Sequence, residues 1–360
     1  TVTKFKRLFI PGPVDVAKDV LEKMATPMIS HRGKDATALQ QGIGEKLKQV
    51  FHTQHTILLS TTSGTGLMEA AIRSCTAKKA VVFSIGAFGD RWAELGTCNN
   101  VPTDKVRVDD GEPTLPDTVE KALATGQYDL VTVTHNETSS GVMNHLEELA
   151  PVIRKYPEVV WCVDAVSSMA GAKIEVDRLG IDVCITSTQK CLALPPGMSI
   201  CSVSAKAVER AKTVKHRGYY LDLLQLYQYV TEKEHQYPST PSLSHMFALD
   251  YQLDKILQEG LENRYARHRE MAQFVRGWGK EHFALLARPG YESDTLTVIK
   301  NTRGINVGDL NKKLGERGFQ IANGYGKLKE KAFRIAHMGE VSVADLKVLL
   351  GHIDEILKGR

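Results

Sequence analysis

Two ionisable residues lie at or just after the ends of apolar runs in the middle of the chain. Asp164 follows Val159-Val-Trp-Cys-Val163, and Lys190 comes after Ile181-Asp-Val-Cys-Ile185. Burying an acid there is costly unless a cation or a strong donor meets it. A lysine beside a buried crevice is a candidate for a lowered pKa and for imine formation. Two structural alternatives stay open, an aspartate that caps the next helix and a lysine that extends into solvent.

A third chemical element is rich in hydroxyls and glycine. Ser60-Thr-Thr-Ser-Gly-Thr-Gly66 lies between an apolar run and the helix-like stretch that begins at Leu67. Hydroxyls and backbone N–H groups at a helix N-terminus form a cup that suits a phosphate. The segment is neither a Walker A loop nor a G-x-G-x-x-G motif. On its own it is equally compatible with an ordinary helix cap.

The elements that must position these residues alternate along the chain. Strands are predicted at 56–60, 80–84, 128–134, 159–163 and 181–185, with helix-like segments such as 66–75 and 144–156 between them. Several of these strands are apolar throughout, which is typical of a sheet covered on both faces. Such alternation predicts right-handed crossovers and a mainly parallel sheet, an α/β fold. In that fold ligands lie at the carboxyl ends of the strands, where Asp164 is expected.

The pattern changes beyond about residue 250. A long helix is predicted from Met246 to Glu281, followed by a strand, a helix, a strand and a helix up to Leu357. This order indicates a smaller α+β domain joined through the long helix. We therefore expect a large domain over residues 16–255 and a small one over 256–360. Residues 1–15 are expected to pack near the active site.

The bulk composition is that of an ordinary globular protein. Hydrophobic residues make up 42% and charged residues 24%, and the net charge of +4 is spread along the chain. These values argue against disorder and nucleic-acid binding but suit small anionic substrates. No apolar stretch approaches the roughly 20 residues of a membrane span, and the N-terminus has no signal-like apolar core. We expect a cytoplasmic protein with no membrane partner. The six cysteines form no C-x-x-C pair, so buried thiols and no metal site are expected.

The order along the chain of the hydroxyl-rich cup around residue 63, the acid at 164 and the lysine at 190 resembles that in the fold-type I enzymes, which use pyridoxal 5′-phosphate (PLP). Within them the chain resembles the class V aminotransferases of the alanine/serine–glyoxylate type. The resemblance runs from Ile10-Pro-Gly-Pro13 to Phe333-Arg-Ile-Ala-His-Met-Gly339 and is most specific in four motifs: Thr134-His-Asn-Glu-Thr-Ser-Ser-Gly141, Val163-Asp-Ala-Val-Ser-Ser168, Ser187-Thr-Gln-Lys190 and Pro195-Pro-Gly197. It implies a large domain with a mainly parallel seven-stranded sheet between helices, and a small C-terminal α+β domain.

The resemblance also implies a role for each matching residue. Lys190 would hold the cofactor as an imine and shuttle the substrate proton, and Asp164 would pair with the pyridine nitrogen. The other residues implied to contact the cofactor within one subunit are Ser63, Gly64, Thr65, Phe88, Thr138, Val166 and Gln189. Tyr237 and Thr240 would reach the phosphate of a neighbouring subunit, which implies a homodimer with shared sites. Arg334 would clamp the substrate carboxylate, and Gly12 would lie on the substrate side.

The resemblance leaves two classes of substrate possible. The chain as a whole is similar to enzymes that move an amino group from alanine or serine to glyoxylate or pyruvate. Ile29-Ser-His-Arg-Gly-Lys34, however, resembles the pair that binds the substrate phosphate in phosphoserine aminotransferases, so Arg32 points to phosphoserine or a phosphono-amino acid instead. A surface-loop arginine is the third possibility for Arg32. No cysteine follows Cys201, which argues against a desulfurase. A non-enzymatic subunit is disfavoured because Lys190, Asp164 and Arg334 are all present.

Overall fold

The computed structural model describes residues 5–359 of the chain. Its strands are short, and most of those in the large sheet are fully buried. In chain order they are β1 (Arg7–Leu8), β2 (Thr56–Ser60), β3 (Ala80–Ser84), β4 (Thr103–Arg107), β5 (Leu130–Thr134), β6 (Asn136–Glu137), β7 (Val142–Met143), β8 (Val160–Asp164), β9 (Val183–Ser187), β10 (Ser199–Val203), β11 (Ala284–Leu285), β12 (Leu296–Lys300), β13 (Phe319–Gln320), β14 (Ala322–Asn323) and β15 (Ala332–Ala336).

Helices fill most of the connections between the strands. They are α1 (Lys18–Lys23), α2 (Lys34–Phe51), α3 (Gly64–Cys75), α4 (Ala87–Cys98), α5 (Pro116–Leu123), α6 (Leu146–Arg154), α7 (Val176–Leu179), α8 (Ala205–Thr213), α9 (Leu223–Thr231), α10 (Leu243–Glu259), α11 (Leu261–His282), α12 (Val307–Glu316) and α13 (Val343–Leu357). A short 3₁₀ turn covers Gly326–Leu328.

The large sheet has seven strands in the order β2-β10-β9-β8-β5-β3-β4. Only β10 runs against the others, since it pairs antiparallel with both β2 and β9. The predicted mainly parallel α/β sheet is therefore confirmed. Because six strands share a direction, the carboxyl ends of β2, β5, β8 and β9 meet at one edge. That edge is where the predicted cup, Asp164 and Lys190 come together.

Helices cover both faces of this sheet, as the apolar strands predict. One buried cluster includes Ile43 and Leu47 of α2, and a second includes Leu67 and Ala71 of α3. Strands β4 and β10 were not among the strands predicted from the sequence. β4 reads Thr-Asp-Lys-Val-Arg and is partly exposed at the sheet edge, so it lacks the apolar signal on which the other strands were recognised.

The C-terminal part of the chain forms a separate layer with its own sheet and core. The strands β11-β12-β15-β14 form an antiparallel sheet, against which α11 packs. The N-terminal segment joins this layer, because β1 pairs in parallel with β13 and the Ala336 N–H donates to the Phe9 carbonyl at 2.8 Å. The segment then passes beside Lys190. Residues 1–4 of the proposed N-terminal segment, and residue 360, lie outside the described part.

The prediction of a single long helix from Met246 to Glu281 is wrong. The structure has two helices, α10 and α11, which are separated by Gly260. Gly260 has a φ of 88°, in the left-handed region where a side chain would be strained, so the first helix ends there. α10 packs on α1 and α2, whereas α11 packs on β11, β12 and α13. The two helices therefore meet at a glycine break, and the domain boundary after residue 255 stays a prediction from the sequence.

The described residues also bear on the predictions about membranes and thiols. No helix within residues 5–359 is both long and apolar enough to cross a bilayer. A cytoplasmic location stays a prediction from the sequence. All six cysteines are unpaired, and Cys162 and Cys184 are buried as expected. In the same part of the chain no three His, Cys, Asp or Glu side chains cluster as a metal site requires.

Candidate active site

A cavity of about 160 Å³ opens at the carboxyl edge of the large sheet. Nine residues singled out in the sequence line it together: Ser63, Gly64, Thr65, Phe88, Thr138, Asp164, Val166, Gln189 and Lys190. They come from turns or strand ends that are far apart in the chain but adjacent in the sheet. The cavity wall also contains residues that the sequence analysis did not assign: Met68, Arg91, Asn136, Ser167 and Ser187.

Lys190 follows β9 and points toward the N-terminal segment. Its Nζ donates to the Pro11 carbonyl. A Cβ at Gly12 would lie 2.5 Å from that Nζ, and Gly12 has a φ of 98°, so only glycine fits there. Burial is the main cause that lowers the pKa of Lys190 to about 8, and the positive charges of Arg334 and Arg91 add to it. The amine is therefore prepared to react in its neutral form near physiological pH.

The lowered pKa of Lys190 predicts how its reactivity depends on pH in the cofactor-free protein. As pH rises through about 8, the ammonium loses its proton, whereas an ordinary lysine does so near 10.4. Acylation of Lys190 should therefore reach half its maximal rate about two pH units below the exposed lysines of the same sample. Peptide mass spectrometry after brief labelling at a series of pH values measures both. A midpoint for Lys190 that coincides with the exposed lysines would contradict the burial argument.

Asp164 is the last residue of β8 and is only 3% exposed. One carboxylate oxygen, Oδ1, accepts from the Val166 N–H at 2.9 Å. Burial raises the pKa of Asp164, while the Val166 hydrogen bond and the charge of Lys190 oppose that rise. A buried carboxylate with one such bond can accept a further charged donor from the cavity. A protonated pyridine nitrogen is a donor of this kind.

The phosphate cup lies where β2 turns into α3. Ser63 is the residue before the helix and makes no side-chain cap bond, so its hydroxyl is available to a ligand. A Cβ on Gly64 would come within 2.8 Å of Val166 Cγ2, which explains the glycine. Among the described residues, the buried Ser187 Oγ and Gln189 Oε1 have no hydrogen-bond partner. The Ser187 hydroxyl and the N–H groups of the helix N-terminus can donate to a bound anion such as the PLP phosphate, and Gln189 can do so through its amide Nε2.

Phe88 lies in the first turn of α4, and a buried acid fixes that turn. Glu137 Oε1 accepts from the Phe88 and Gly89 N–H groups, each at 3.1 Å, and Oε2 accepts from the Ser139 hydroxyl at 2.8 Å. These donors satisfy N–H groups that a helix N-terminus leaves unpaired. Burial is the main cause that raises the pKa of Glu137. The aromatic wall of the cavity is thus held by a hydrogen-bonded carboxyl from the β6 strand.

Arg334 on β15 of the C-terminal layer does not line the cavity itself but contacts Thr138, which does. Its Nε donates to the Asn323 carbonyl at 2.9 Å, and its Nη1 lies 3.4 Å from the Thr138 carbonyl. Among residues 5–359 no carboxylate lies within salt-bridge distance of it, and burial lowers its pKa. A partly buried guanidinium without a counter-ion can clamp a carboxylate from a ligand in bidentate fashion.

Comparison with known proteins adds to this geometry. The family model Aminotransferase class-V matches residues 14–327. The chain belongs to the class V aminotransferases.

Its relatives cover almost the whole chain. An uncharacterised aminotransferase of Methanocaldococcus jannaschii is 38% identical over 98% of this chain and 93% of its own length. A serine–glyoxylate aminotransferase of Arabidopsis thaliana is 30% identical over 98% and 90%. An alanine–glyoxylate aminotransferase from Nostoc has a solved structure with a TM-score of 0.92 at 25% identity, covering 98% of this chain and 96% of that chain. Class V aminotransferases depend on PLP, so this aminotransferase is a PLP-dependent transaminase.

Five residues that the resemblance placed in the site do not line the cavity of this class V aminotransferase. Gly12 and Arg334 each contact a residue that does line it, Lys190 and Thr138 respectively, whereas Arg32, Tyr237 and Thr240 lie apart from it. Arg32 is exposed and donates to Gln236 Oε1 at 3.2 Å and to the carbonyls of Tyr237 and Pro238 at 2.5 and 3.3 Å. The buried Tyr237 hydroxyl accepts from the Thr61 N–H at 3.2 Å, and Thr240 is exposed. Within one chain, none of these three residues reaches Lys190.

Several residues that line the cavity of this aminotransferase were not predicted from the sequence. Asn136 donates through Nδ2 to Ser167 Oγ at 2.8 Å, and its Oδ1 has no partner among the described residues. Asn136, Ser167 and Ser187 all lie inside motifs that carried the resemblance, so position within a motif was a usable signal. Arg91 carried no such signal, because it lies outside these motifs, one helical turn after Phe88 on α4.

Proposed function

We propose that this protein moves the amino group of alanine or serine to glyoxylate or pyruvate. The observation that carries the proposal is the grouping of three charged residues around one cavity: Lys190 and the buried Asp164 line it, and Arg334, a guanidinium without a counter-ion, contacts Thr138 in its wall. That set provides a carboxylate clamp, a base and a charge partner. The serine– and alanine–glyoxylate aminotransferases among the relatives support the substrate class.

Each residue has a proposed task in the reaction. PLP, when bound, supplies the electron sink that makes the substrate Cα–H acidic. Lys190 would bind the cofactor covalently and, once displaced by the substrate, take the proton from Cα as general base and deliver it to the cofactor C4′ as general acid. Asp164 would hold the positive charge on the pyridine nitrogen. Arg334 would fix the α-carboxylate so that Cα stays beside the Lys190 amine.

The cofactor contacts are proposed in the same way. Ser63, Gly64, Thr65 and Gln189 would bind the phosphate, since hydroxyl, backbone and amide groups line that end of the cavity. Phe88 and Val166 would pack on the ring, and Thr138 would lie beside its oxygen. Gly12 would leave room for the substrate next to Lys190, because any side chain at that position would collide with Nζ.

Within one subunit, Arg32 offers no binding site for a substrate phosphate. Its guanidinium already donates to three acceptors and lies in a surface groove with Lys34, Tyr229 and Gln236, apart from the Lys190 cavity. A phosphate on the substrate could reach Arg32 only if this groove faced the cavity of a second subunit.

The two substrate readings predict opposite results for Arg32→Ala. With alanine or serine and glyoxylate, kcat/KM should change little, because these substrates have no distal anion. With phosphoserine and 2-oxoglutarate, loss of charge-assisted bonds worth about 1.5–3 kcal/mol each would lower kcat/KM roughly ten- to over a hundredfold. We expect wild-type turnover to be higher with the small donors. A tenfold preference for phosphoserine that disappears in Arg32→Ala would replace our assignment with the alternative.

We also propose a homodimer with shared sites. The surface around Tyr237 supports it, since Tyr219 is 78% and Tyr220 47% exposed, and the Tyr220 hydroxyl lies 3.4 Å from that of Tyr237. Exposed aromatic residues beside polar ones are typical of protein interfaces. Thr240 is on the same exposed segment.

A complementation experiment tests the shared site. A Lys190→Ala chain and a Tyr237→Phe/Thr240→Ala chain should each be impaired alone. In a mixed dimer, one site would carry both defects and the other neither, so up to half of the wild-type activity per dimer should return. Native mass spectrometry would verify that the subunits have exchanged. Exchanged dimers that regain no activity would argue that each chain builds its site alone.

A further inference from the structure

One cavity residue has a full charge that none of the proposed roles uses. Arg91 projects from the second turn of α4, and its Nη1 donates to the hydroxyl of Thr65 in the phosphate cup at 3.1 Å. Its guanidinium carbon lies 4.7 Å from the centroid of the Phe88 ring. Within residues 5–359 no carboxylate lies within salt-bridge distance of Arg91. Its positive charge therefore faces the cavity without a counter-ion from the protein.

The cup otherwise lacks a positive charge for the group it is proposed to bind. A phosphate ester carries close to two negative charges at neutral pH. Ser63, Thr65 and Gln189 are neutral, and the N-terminus of α3 contributes the equivalent of only about half a charge. Lys190 is engaged with Pro11, and Arg334 bonds to Asn323 and Thr138 at the C-terminal layer. A dianion in a partly buried cup needs a cation nearby.

We propose that Arg91 supplies the counter-charge for the cofactor phosphate. The Thr65 hydroxyl accepts from Arg91, so its own hydrogen is free to point to a phosphate oxygen. The Ser187 hydroxyl, which is 1% exposed and has no partner among the described residues, is a further donor that an anion in the same cavity could use. This inference rests on the proposed phosphate cup and extends it to a residue on a different helix.

A second contact holds the guanidinium in this place. The other terminal nitrogen of Arg91, Nη2, lies 3.5 Å from the Tyr325 hydroxyl, which belongs to the C-terminal layer. The Tyr325 ring in turn lies 5.6 Å from the Phe88 centroid. Arg91 is therefore fixed between the cup, the aromatic wall and the C-terminal layer. Such fixed donors bind an anion with less loss of side-chain entropy than a free lysine would.

The test compares PLP with pyridoxal, which lacks the phosphate, in the full-length cofactor-free protein. In Arg91→Met we expect the dissociation constant for PLP to rise roughly ten- to hundredfold, and that for pyridoxal to stay within about threefold of wild type. Arg91→Lys should recover part of the PLP affinity. Arg73→Met is the matched control, since Arg73 lies in the last turn of α3, away from the cup, and should change neither constant. Fluorescence titration measures all of them.

The possible outcomes distinguish failure of the role proposed for Arg91 from failure of the proposed PLP site. Equal losses for PLP and pyridoxal would show that Arg91 acts by positioning Phe88, and unchanged constants would show no role; either result overturns the inference. If Arg91→Met does not fold, Arg91→Gln decides, because it keeps a polar side chain without the charge and should show the same selective loss of PLP affinity. A PLP affinity within about threefold of wild type in Arg91→Gln would again overturn the inference. Failure of the wild-type protein to bind PLP through Lys190 would instead remove the proposed site itself.

Discussion

Lys190→Ala is expected to abolish the covalent link to the cofactor and to lower kcat for transamination by at least about 10²–10⁴-fold, the usual contribution of a positioned acid–base group. The cup at Ser63–Thr65 does not depend on the lysine, so PLP should still bind non-covalently. Borohydride reduction followed by mass spectrometry of the denatured chain reports the link, and a coupled assay reports kcat.

Lys212→Ala is the control for this substitution. Lys212 is exposed on α8 and pairs with Glu209, so its loss should alter neither the link nor kcat. Transaminase activity near the wild-type level in Lys190→Ala would remove the central element of the proposed mechanism. So would a borohydride-stable adduct found on another lysine of the wild-type protein.

Asp164→Asn is expected to slow the reaction strongly while the fold persists. The amide has nearly the same shape but cannot compensate a positive pyridine nitrogen, and charge-assisted bonds of this kind contribute about 1.5–3 kcal/mol. A barrier raised by that amount lowers kcat roughly ten- to over a hundredfold. Steady-state kinetics with a small donor measures this loss, and a change of only a few-fold would indicate that Asp164 is a structural cap.

A second buried acid in the same sheet provides the contrast. Asp182 and Asp164 are each 3% exposed. Asp182, however, accepts from the Trp161 N–H at 2.8 Å and the Ser204 hydroxyl at 2.6 Å, away from the cavity. Asp182→Asn should therefore lower the free energy of unfolding, measured by denaturant titration, and leave kcat of the folded enzyme near wild type. Asp164→Asn should show the reverse pattern.

The sequence was sufficient for those parts of the site that depend on strand ends. Asp164, Lys190 and the cup each lie at or just after the carboxyl end of a buried strand, and strands that run in parallel bring these ends to one edge. The predicted apolar strands were displaced by at most two residues at either end in the structure. Beyond that, only the family motifs pointed to Thr138 and Arg334, because no periodicity indicates either residue, and their roles stay predictions.

What could not be predicted depends on packing between distant elements or on local backbone angles. Gly260 lies inside a sequence pattern that reads as continuous helix, and only its positive φ shows the break. Arg91 and Thr65 are 26 residues apart, and their contact arises because α3 and α4 pack side by side. The place of Arg32 depends on the Tyr237 segment, about 200 residues later in the chain.

The pairing of the N-terminal segment has a consequence for the order in which the site is made. The partners of residues 7–12 in β13 and β15 are translated about 310 residues after them, or roughly 15–60 s later at ordinary elongation rates. Until then the Pro11 carbonyl has no fixed position in which to accept the hydrogen bond from Lys190 Nζ. A chain synthesised only as far as β13 therefore has the lysine and the acid but neither the anchored N-terminal wall nor Arg334, and the proposed site is completed only after β15 has been made.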